Sequence, residues 1–137
     1  MTRKQFLRTA AVMLAMIVAL AFRVPTAQAQ CPCGPITINI DPDVQCWLPL
    51  TVWCDNGTVT DLNGGNYYPP GTGTAEHCPC PGANITQVSL GASGPIVPVP
   101  SPGPVDVTFA GDCCVRIDIQ CNPSGGITIH IMRSPLC

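Results

Sequence analysis

The chain has 137 residues, ten of them cysteine, and a formal net charge of −2 that is unevenly distributed. Four of its six basic residues precede residue 30, so residues 30–137 carry two arginines and no lysine against eight acidic side chains, a net charge of −6. Such an acidic segment argues against binding to nucleic acid or anionic lipid, since phosphate contacts need basic side chains, and the lack of lysine excludes Schiff-base chemistry.

The first 29 residues have the three regions of an export signal. Positive charges come first, residues 10–22 form an uncharged run, and Ala27-Gln28-Ala29 supplies the small-x-small cleavage pattern. The run is shorter than the ~20 residues of a membrane span. We therefore expect cleavage after Ala29 and no stable membrane anchor, which implies a secreted, periplasmic or cell-surface protein. Residues 2–8 resemble a twin-arginine signal with Lys4 in place of the second arginine, which leaves the export route open.

All ten cysteines follow this signal, at a density typical of a disulfide scaffold. Their even number allows every one to be bonded. Two Cys-Pro-Cys motifs, at 31–33 and 78–80, are alternatively a four-thiolate metal site with His77 in reserve, but known zinc pairs favour wider spacing and an oxidising compartment favours disulfides. The disulfide candidates are Cys31, Cys33, Cys46, Cys54, Cys78, Cys80, Cys113, Cys114, Cys121 and Cys137.

Two strands are predicted early in the secreted segment. Residues 36–40 alternate apolar and polar side chains, the period of a half-buried strand. Residues 44–54 have an apolar side chain at every even position, so a second strand is expected there, although Pro49 favours an edge or a bulge. A turn is predicted at 55–57. Residues 61–83 show no periodicity and are expected to form a long loop pinned by disulfides.

The middle of the chain contains a proline-rich segment. Residues 85–90 resume a strand-like pattern, and residues 91–104 then hold five prolines among fourteen residues. Because proline cannot donate a backbone hydrogen bond, this segment is excluded from a central strand. We expect it to run extended along the surface.

The last third of the chain predicts a hairpin. Strands are expected at 105–109, 113–121 and 127–131, and residues 122–126 form a turn of hairpin length. If residue 121 pairs with 127, then 119 meets 129 and 117 meets 131. That register places isoleucine opposite isoleucine on one buried face, which is the condition that fixes a register.

These elements predict an all-β protein. Residues 30–137 are expected to form a single small, disulfide-rich domain, an antiparallel β-sandwich of immunoglobulin-like or related topology. Short strands joined by many turns account for its high content of glycine and proline.

Matching cysteine frames predict part of the disulfide pattern. Residues 46–54 and 113–121 each place two cysteines eight residues apart, about 26 Å along a strand, which is too far for a bond within either strand. Two strands stapled at both ends give Cys46–Cys121 with Cys54–Cys113 if antiparallel, or Cys46–Cys113 with Cys54–Cys121 if parallel. The two Cys-Pro-Cys motifs are then expected to bond to each other, and Cys114 to Cys137.

Two groups of side chains are candidate ligand sites. Exposed aromatic residues of a secreted domain can stack on sugars or contact a partner, and the candidates are Trp47, Trp53, Tyr67 and Tyr68. Oxygen ligands in neighbouring turns suit a weak calcium site at Asp55, Asp61 and Asn63, although turn chemistry explains these residues equally well. No other cofactor is predicted.

No nucleophile beside a base and no phosphate-binding loop is recognisable, so we do not expect an enzyme. The leading hypothesis is a structural or adhesive protein of the cell exterior. Its specific version is a filament subunit that self-associates by strand exchange. Its candidate strands are near copies of each other and carry Ile36, Ile38, Ile40, Ile127, Ile129 and Ile131. The alternative is a ligand-binding module that uses the exposed aromatic residues to bind carbohydrate, for example a cell-surface glycan.

Overall fold

The computed structural model describes residues 30–136, which form ten β-strands and one short 3₁₀ turn arranged in two five-stranded sheets. The all-β prediction is confirmed for this part of the chain; the predicted export signal and Cys137 lie outside the described residues. The strands are β1 Cys31–Pro32, β2 Ile36–Ile40, β3 Thr51–Cys54, β4 Val59–Asp61, β5 Gly73–Glu76, β6 Asn84–Ser89, β7 Ile96–Pro98, β8 Val105–Phe109, β9 Cys113–Cys121 and β10 Ile127–Arg133, and the 3₁₀ turn is Asn63–Gly65.

One sheet has the order β5-β2-β10-β9-β8 and contains the predicted hairpin. Cys121 pairs with Ile127, Ile119 with Ile129, and Ile117 with Ile131, which confirms the predicted register. The isoleucines of this register are almost completely buried. Because the side-chain period of a strand is two, a slip of one residue would turn this whole face toward solvent. We call β2, β9 and β10 the isoleucine sheet.

The pairing of β2 with β10 differs from the predicted antiparallel arrangement. The two strands run parallel, with Ile36 beside Ile127 and Ile38 beside Ile129. No hairpin joins them, since the chain between them forms most of the other sheet before it returns. A long crossover permits parallel pairing, whereas a short turn does not.

The other sheet, which we call the second sheet, is built around β6, with order β1-β6-β3-β4. β3 occupies one edge of β6, while β1 and β7 share the opposite edge. Only residues 51–54 of the predicted strand 44–54 enter the ladder. Before them, Leu48 forms a single isolated bridge with Tyr68. Pro49 has no N–H to continue the ladder, although the predicted apolar positions Val44, Leu48 and Leu50 are buried.

The proline-rich segment, residues 91–104, does more than run extended along the surface. Its residues 96–98 form β7 on the edge of β6, and Val97 and Val99 are buried. The Val99 N–H donates to the Thr86 carbonyl at 3.0 Å, which is a typical distance for a hydrogen bond between strands. An edge position accommodates prolines because their missing N–H groups are not needed by a further strand.

A single cluster of buried apolar side chains includes residues of both sheets. Its largest fully buried members include isoleucines of β2, β9 and β10 and leucines of residues 48–90. Within residues 30–136, no helix is long and apolar enough to cross a membrane.

Four disulfides are present among the described residues: Cys31–Cys121, Cys33–Cys78, Cys46–Cys113 and Cys54–Cys80. Cys113 and Cys121, at the two ends of β9, are each bonded to another segment, as the length of the strand requires. The predicted double staple between two strands is wrong, because Cys54 and Cys121 bond to other partners. β3 and β9 belong to different sheets, so only Cys46, ahead of β3, reaches Cys113.

One bond, Cys33–Cys78, joins the two Cys-Pro-Cys motifs, as predicted. The remaining cysteine of each motif bonds elsewhere, because Cys31 lies in β1 near the end of β9 and Cys80 lies near the end of β3. Cys114 is also disulfide-bonded. Its predicted partner, Cys137, lies outside the described residues.

Candidate functional site

A cleft of about 490 Å³ opens where loops of the second sheet meet the end of β8. Its walls come from residues 49–50, 61–62, 65–67, 90–95 and 108–110. This volume lies within the ~300–1,000 Å³ range of small-molecule sites, which favour junctions between structural units. The cleft is therefore the candidate site.

Two aromatic rings form the apolar part of the cleft. The centroids of Tyr67 and Phe109 are 6.3 Å apart and their planes are tilted by 59°. This is a tilted arrangement, and the centroid distance lies within the usual range of about 4.5–7 Å for interacting aromatic rings. Tyr67 remains 49% exposed, so its ring is available to a ligand.

The bridge between Leu48 and Tyr68 aims Tyr67 outward. Each of these two residues donates its N–H to the carbonyl of the other, at 2.9 and 2.8 Å. Both side chains are buried, and the Tyr68 hydroxyl donates to Glu76 at 2.7 Å. Successive side chains of an extended segment point to opposite sides, so Tyr67 faces solvent and lines the cleft.

Polar side chains line the cleft beside the two rings. Asp61 accepts a hydrogen bond from the Thr51 hydroxyl at 2.6 Å, which fixes its carboxylate. Asn66 donates its side-chain amide to the Asn63 carbonyl at 3.1 Å, across the 3₁₀ turn. The hydroxyls of Ser93 and Thr108 also lie along the walls. No Lys, Arg or His is among the described residues that line the cleft.

The loop of residues 90–95 is a defined turn. The Leu90 N–H donates to the Pro95 carbonyl at 3.0 Å, and the Ser89 hydroxyl donates to the Gly91 carbonyl at 2.7 Å. A Cβ atom on Gly94 would lie 1.7 Å from the Leu90 carbonyl oxygen, so only glycine fits there. This wall of the cleft is therefore shaped in advance of any ligand.

The four aromatic candidates differ in exposure and in position relative to the cleft. Trp47 is 60% exposed but does not line the cleft, and Tyr67 is part of it. Trp53 is half-buried, and its indole N–H donates to the Ser89 hydroxyl at 2.8 Å. Tyr68 is buried. The structure therefore brings one of the four into the cleft.

Phe109 is the cleft residue that sequence reasoning missed. Its place on the alternating face of residues 105–109 predicts a core side chain, and it is only half-buried. The signal that could have identified it is its position as the last residue of β8, immediately before the turn at 110–112. Side chains at strand ends are covered on fewer sides than those at strand centres.

The calcium candidates are not brought together. β3 and β4 pair with Thr51 opposite Asp61 and Trp53 opposite Val59, so Asp55 lies at the turn end of this hairpin and Asp61 at its open end. About four strand residues, roughly 13 Å, separate the two carboxylates along the hairpin. Asn63 lies beyond Asp61, in the 3₁₀ turn.

Asp55 has its own partner. It accepts hydrogen bonds from the Asn84 N–H at 3.0 Å and from the Asn84 side-chain amide at 2.9 Å. These bonds lower the pKa of Asp55, because they stabilise the ionised carboxylate. The carboxylate thereby ties the turn after β3 to the start of β6.

The proposed four-thiolate set is divided between different parts of the fold. The sulfurs of Cys33, Cys78 and Cys80 lie within 4.8 Å of one another, whereas Cys31 is bonded to Cys121. All of these sulfurs are in disulfides, and a disulfide sulfur lacks the thiolate charge that zinc binding requires.

The strand-exchange candidates pair with each other. β2 lies between β5 and β10, and β10 lies between β2 and β9. Both edges of each strand are therefore occupied by strands of the same chain. Either strand would have to leave this sheet before it could complete a neighbour's sheet.

The geometry as a whole is that of a cleft with one wall fixed by backbone hydrogen bonds. It combines the exposed ring of Tyr67 and the half-buried ring of Phe109 with the hydrogen-bonded side chains of Asp61 and Asn66 and with two hydroxyl groups. No family model, curated protein or solved structure matches the chain.

Proposed function

We propose that this protein is a secreted, non-enzymatic ligand-binding module of the cell exterior, and that its cleft binds a neutral carbohydrate. The observation that carries the proposal is the Tyr67–Phe109 pair beside fixed polar side chains in a cleft of about 490 Å³. In this proposal the export signal is removed, and the two sheets pack face to face as a sandwich of immunoglobulin-like or related topology.

The chemistry of the cleft suits a sugar ring. A pyranose has apolar C–H faces, which pack on aromatic rings, and a rim of hydroxyls that both donate and accept hydrogen bonds. Asp61 accepts such bonds, the side-chain amide of Asn66 donates and accepts, and Ser93 and Thr108 do both. In small-molecule sites, polar groups at defined positions set the orientation and specificity of the ligand.

Charge favours a neutral ligand over an acidic one. The described lining contains the Asp61 carboxylate and no basic side chain, and residues 30–137 carry a net charge of −6. An anionic sugar would approach a surface of its own sign without a compensating cation. Neutral hexoses and their oligomers meet no such repulsion.

An adhesive role fits the same site, since a module that binds a cell-surface glycan attaches its bearer to that surface. The strand-exchange version of a structural role gains no support from β2 and β10, because strands of the same chain flank both of them. Glycan binding is therefore the form of the adhesive hypothesis that the geometry favours.

The test is a glycan array probed with the exported protein, its disulfides intact, followed by calorimetric titration of the best neutral glycan. We expect Tyr67→Ala to weaken binding at least about tenfold, the loss of one ring contact worth ~1.4 kcal/mol. Tyr67→Phe should retain most of the affinity, because it keeps the ring.

Trp47→Ala is the matched control, because Trp47 is an exposed aromatic residue outside the cleft lining. It should bind as the unmodified protein does. Absence of binding to every neutral glycan would overturn the proposal, and so would a loss of affinity in Trp47→Ala with none in Tyr67→Ala.

A further inference from the structure

Two disulfides lie in direct contact with each other, away from the cleft. The Cys33 sulfur is 3.5 Å from the Cys80 sulfur, and the Cys78 sulfur is 3.8 Å from it. Cys33 is bonded to Cys78, and Cys80 to Cys54, so these are distances between one disulfide and the next. We call the four cysteines the disulfide pair.

The two bonds differ in accessibility. Cys54 and Cys80 are 7% and 2% exposed, whereas Cys33 and Cys78 are each partly open to solvent. A reagent from solution therefore meets the Cys33–Cys78 bond first. The Cys54–Cys80 bond lies behind it and is reached through a sulfur of the outer bond.

Backbone hydrogen bonds hold the contributing segments in place. The Cys33 N–H donates to the Ala83 carbonyl at 2.9 Å, and the Ala83 N–H donates to the Cys80 carbonyl at 3.0 Å. Asp55, next to Cys54, donates its N–H to the Asn84 carbonyl at 3.0 Å. The sulfurs are thus neighbours because the surrounding backbone is fixed.

We propose that the disulfide pair is a thiol–disulfide exchange site for a small external thiol. The external thiolate attacks the Cys78 sulfur, forms a mixed disulfide there and displaces Cys33 as a thiolate. The Cys33 thiolate then attacks the Cys80 sulfur 3.5 Å away, which forms a Cys33–Cys80 bond and releases Cys54 as a thiolate.

The last step regenerates the external thiolate, and the reaction as a whole involves no net oxidation. The Cys54 thiolate attacks the mixed disulfide at Cys78, forms Cys54–Cys78 and releases the external thiolate unchanged. Two disulfides are consumed and two are formed, so the thiol acts as a catalyst. An attack of Cys78 on Cys80 is disfavoured, since its product would close a small ring across Pro79, which holds the motif extended.

Contact between disulfides distinguishes this site from the others. Within residues 30–136, no other three cysteines place their sulfurs within 4.8 Å of one another. Cys46–Cys113 is a cross-link of comparable sequence span and serves as the reference bond. A thiolate freed in that bond is expected to stay where it is formed.

The first experiment uses Cys78→Ser, which leaves Cys33 without its partner. The folded variant is held at pH 8, quenched in acid, unfolded and alkylated, and the labelled peptides are identified after cleavage between residues 33 and 54. We expect the label on both Cys33 and Cys54, because Cys33 displaces Cys54 from Cys80. In the control, Cys113→Ser, the label should remain on Cys46 alone.

The second experiment needs no substitution and covers a failure of Cys78→Ser to fold. The native protein is incubated with a catalytic amount of reduced glutathione, and free thiols are trapped with N-ethylmaleimide at intervals. We expect a glutathione adduct on the peptide that contains Cys78 and a trapped thiol at Cys54, with residues 46 and 113 unlabelled. Label confined to Cys33 and Cys78 in this experiment would overturn the proposal.

Discussion

The isoleucine sheet and the segment that forms the cleft are stabilised in different ways. In the isoleucine sheet, regular ladders bring identical side chains into register on one buried face. The cleft segment, residues 44–95, also contains ladders of β3, β4 and β6, but the parts of it that line the cleft are held by single hydrogen bonds, an isolated bridge and tight turns, and cross-links tie the segment to the rest of the chain. The comparison indicates that stability is concentrated in the sheet, while chemically versatile groups are concentrated where the ladder stops.

Local backbone conformation separates the two regions as well. Asn63, Gly64 and Gly65 in the 3₁₀ turn beside the cleft all have positive φ, whereas no residue of the isoleucine sheet does. Left-handed conformations are costly for residues with side chains, so they persist only where surrounding bonds hold them. In this turn, the reciprocal amide bonds between Asn63 and Asn66 do so.

The largest expected effects concern the isoleucine sheet, beginning with its cross-link to the second sheet. Cys31–Cys121 joins β1 of the second sheet to the end of β9 across 90 residues of sequence. Replacing both cysteines by alanine should lower the free energy of unfolding by about 3–4 kcal/mol, the loop entropy expected when the remaining disulfides Cys33–Cys78, Cys54–Cys80 and Cys46–Cys113 shorten the opened loop to roughly 20 residues. Urea denaturation measures this. A loss below about 1 kcal/mol would mean that the two sheets remain together without the link.

A cavity in the isoleucine sheet should have an effect of similar size. Ile129 is fully buried between Ile38 and Ile119. Ile129→Ala should cost about 3–4 kcal/mol and Ile129→Val about 1 kcal/mol, since the cost grows with the volume removed. Tyr67→Ala in the cleft should cost less than about 1 kcal/mol, because half of that side chain is already exposed. Equal losses at Ile129 and Tyr67 in thermal unfolding would remove the contrast between the regions.

A smaller effect is expected at Tyr68, which anchors the cleft segment to the core. Burial, together with the hydrogen bond to Glu76 and the negative charge of Glu76, raises the pKa of Tyr68 above its usual value of 10.0. The neutral phenol is therefore favoured in the folded protein. Its contribution to the free energy of unfolding is present below pH 10 and is lost as the pH rises above that value.

Tyr68→Phe removes this titration along with about 1 kcal/mol from the lost hydrogen bond. Between pH 9 and 11, the free energy of unfolding should therefore fall more steeply with pH in the unmodified protein than in Tyr68→Phe. Identical slopes would show that Tyr68 ionises as freely in the folded chain as in the unfolded one.

The smallest effect belongs to the exposed face of β8 and β9. Arg116 donates two hydrogen bonds to Asp106, at 3.0 and 3.1 Å, and Ser134 donates a third at 2.7 Å. These bonds lower the pKa of Asp106, so its contribution is present at neutral pH and lost as the pH falls below about 4.

Asp106→Asn should therefore flatten the decline in stability between pH 5 and 2. The change should also shrink in high salt, since the ion pair faces solvent. A variant whose acid profile matches that of the unmodified protein at both salt concentrations would contradict this role.

The sequence by itself determined the elements whose signal is local. The alternation in residues 113–121 and 127–131, with a turn between them, specified both strands, their buried faces and their register. Asp55-Asn56-Gly57 specified a turn, and the structure gives it a Thr58 N–H bond to the Asn56 side chain and a positive φ at Gly57. Cysteine content predicted a disulfide scaffold. Each of these follows from residues close together in the chain.

Only the tertiary structure decided which distant segments became neighbours. The alternation in residues 36–40 predicts a strand with one buried face. That face fits a parallel or an antiparallel partner equally well. The path of the chain between β2 and β10 is what makes β10 the parallel partner. Residues 46–54 and 113–121 match in cysteine spacing, yet they belong to different sheets, so Cys46–Cys113 is the one bond between them among the described residues, and Cys54 and Cys121 have other partners. Phe109 joined Tyr67 because two sheets end at the same place. A local pattern fixes which side of a strand is buried, whereas pairing across the molecule depends on contacts that close long loops.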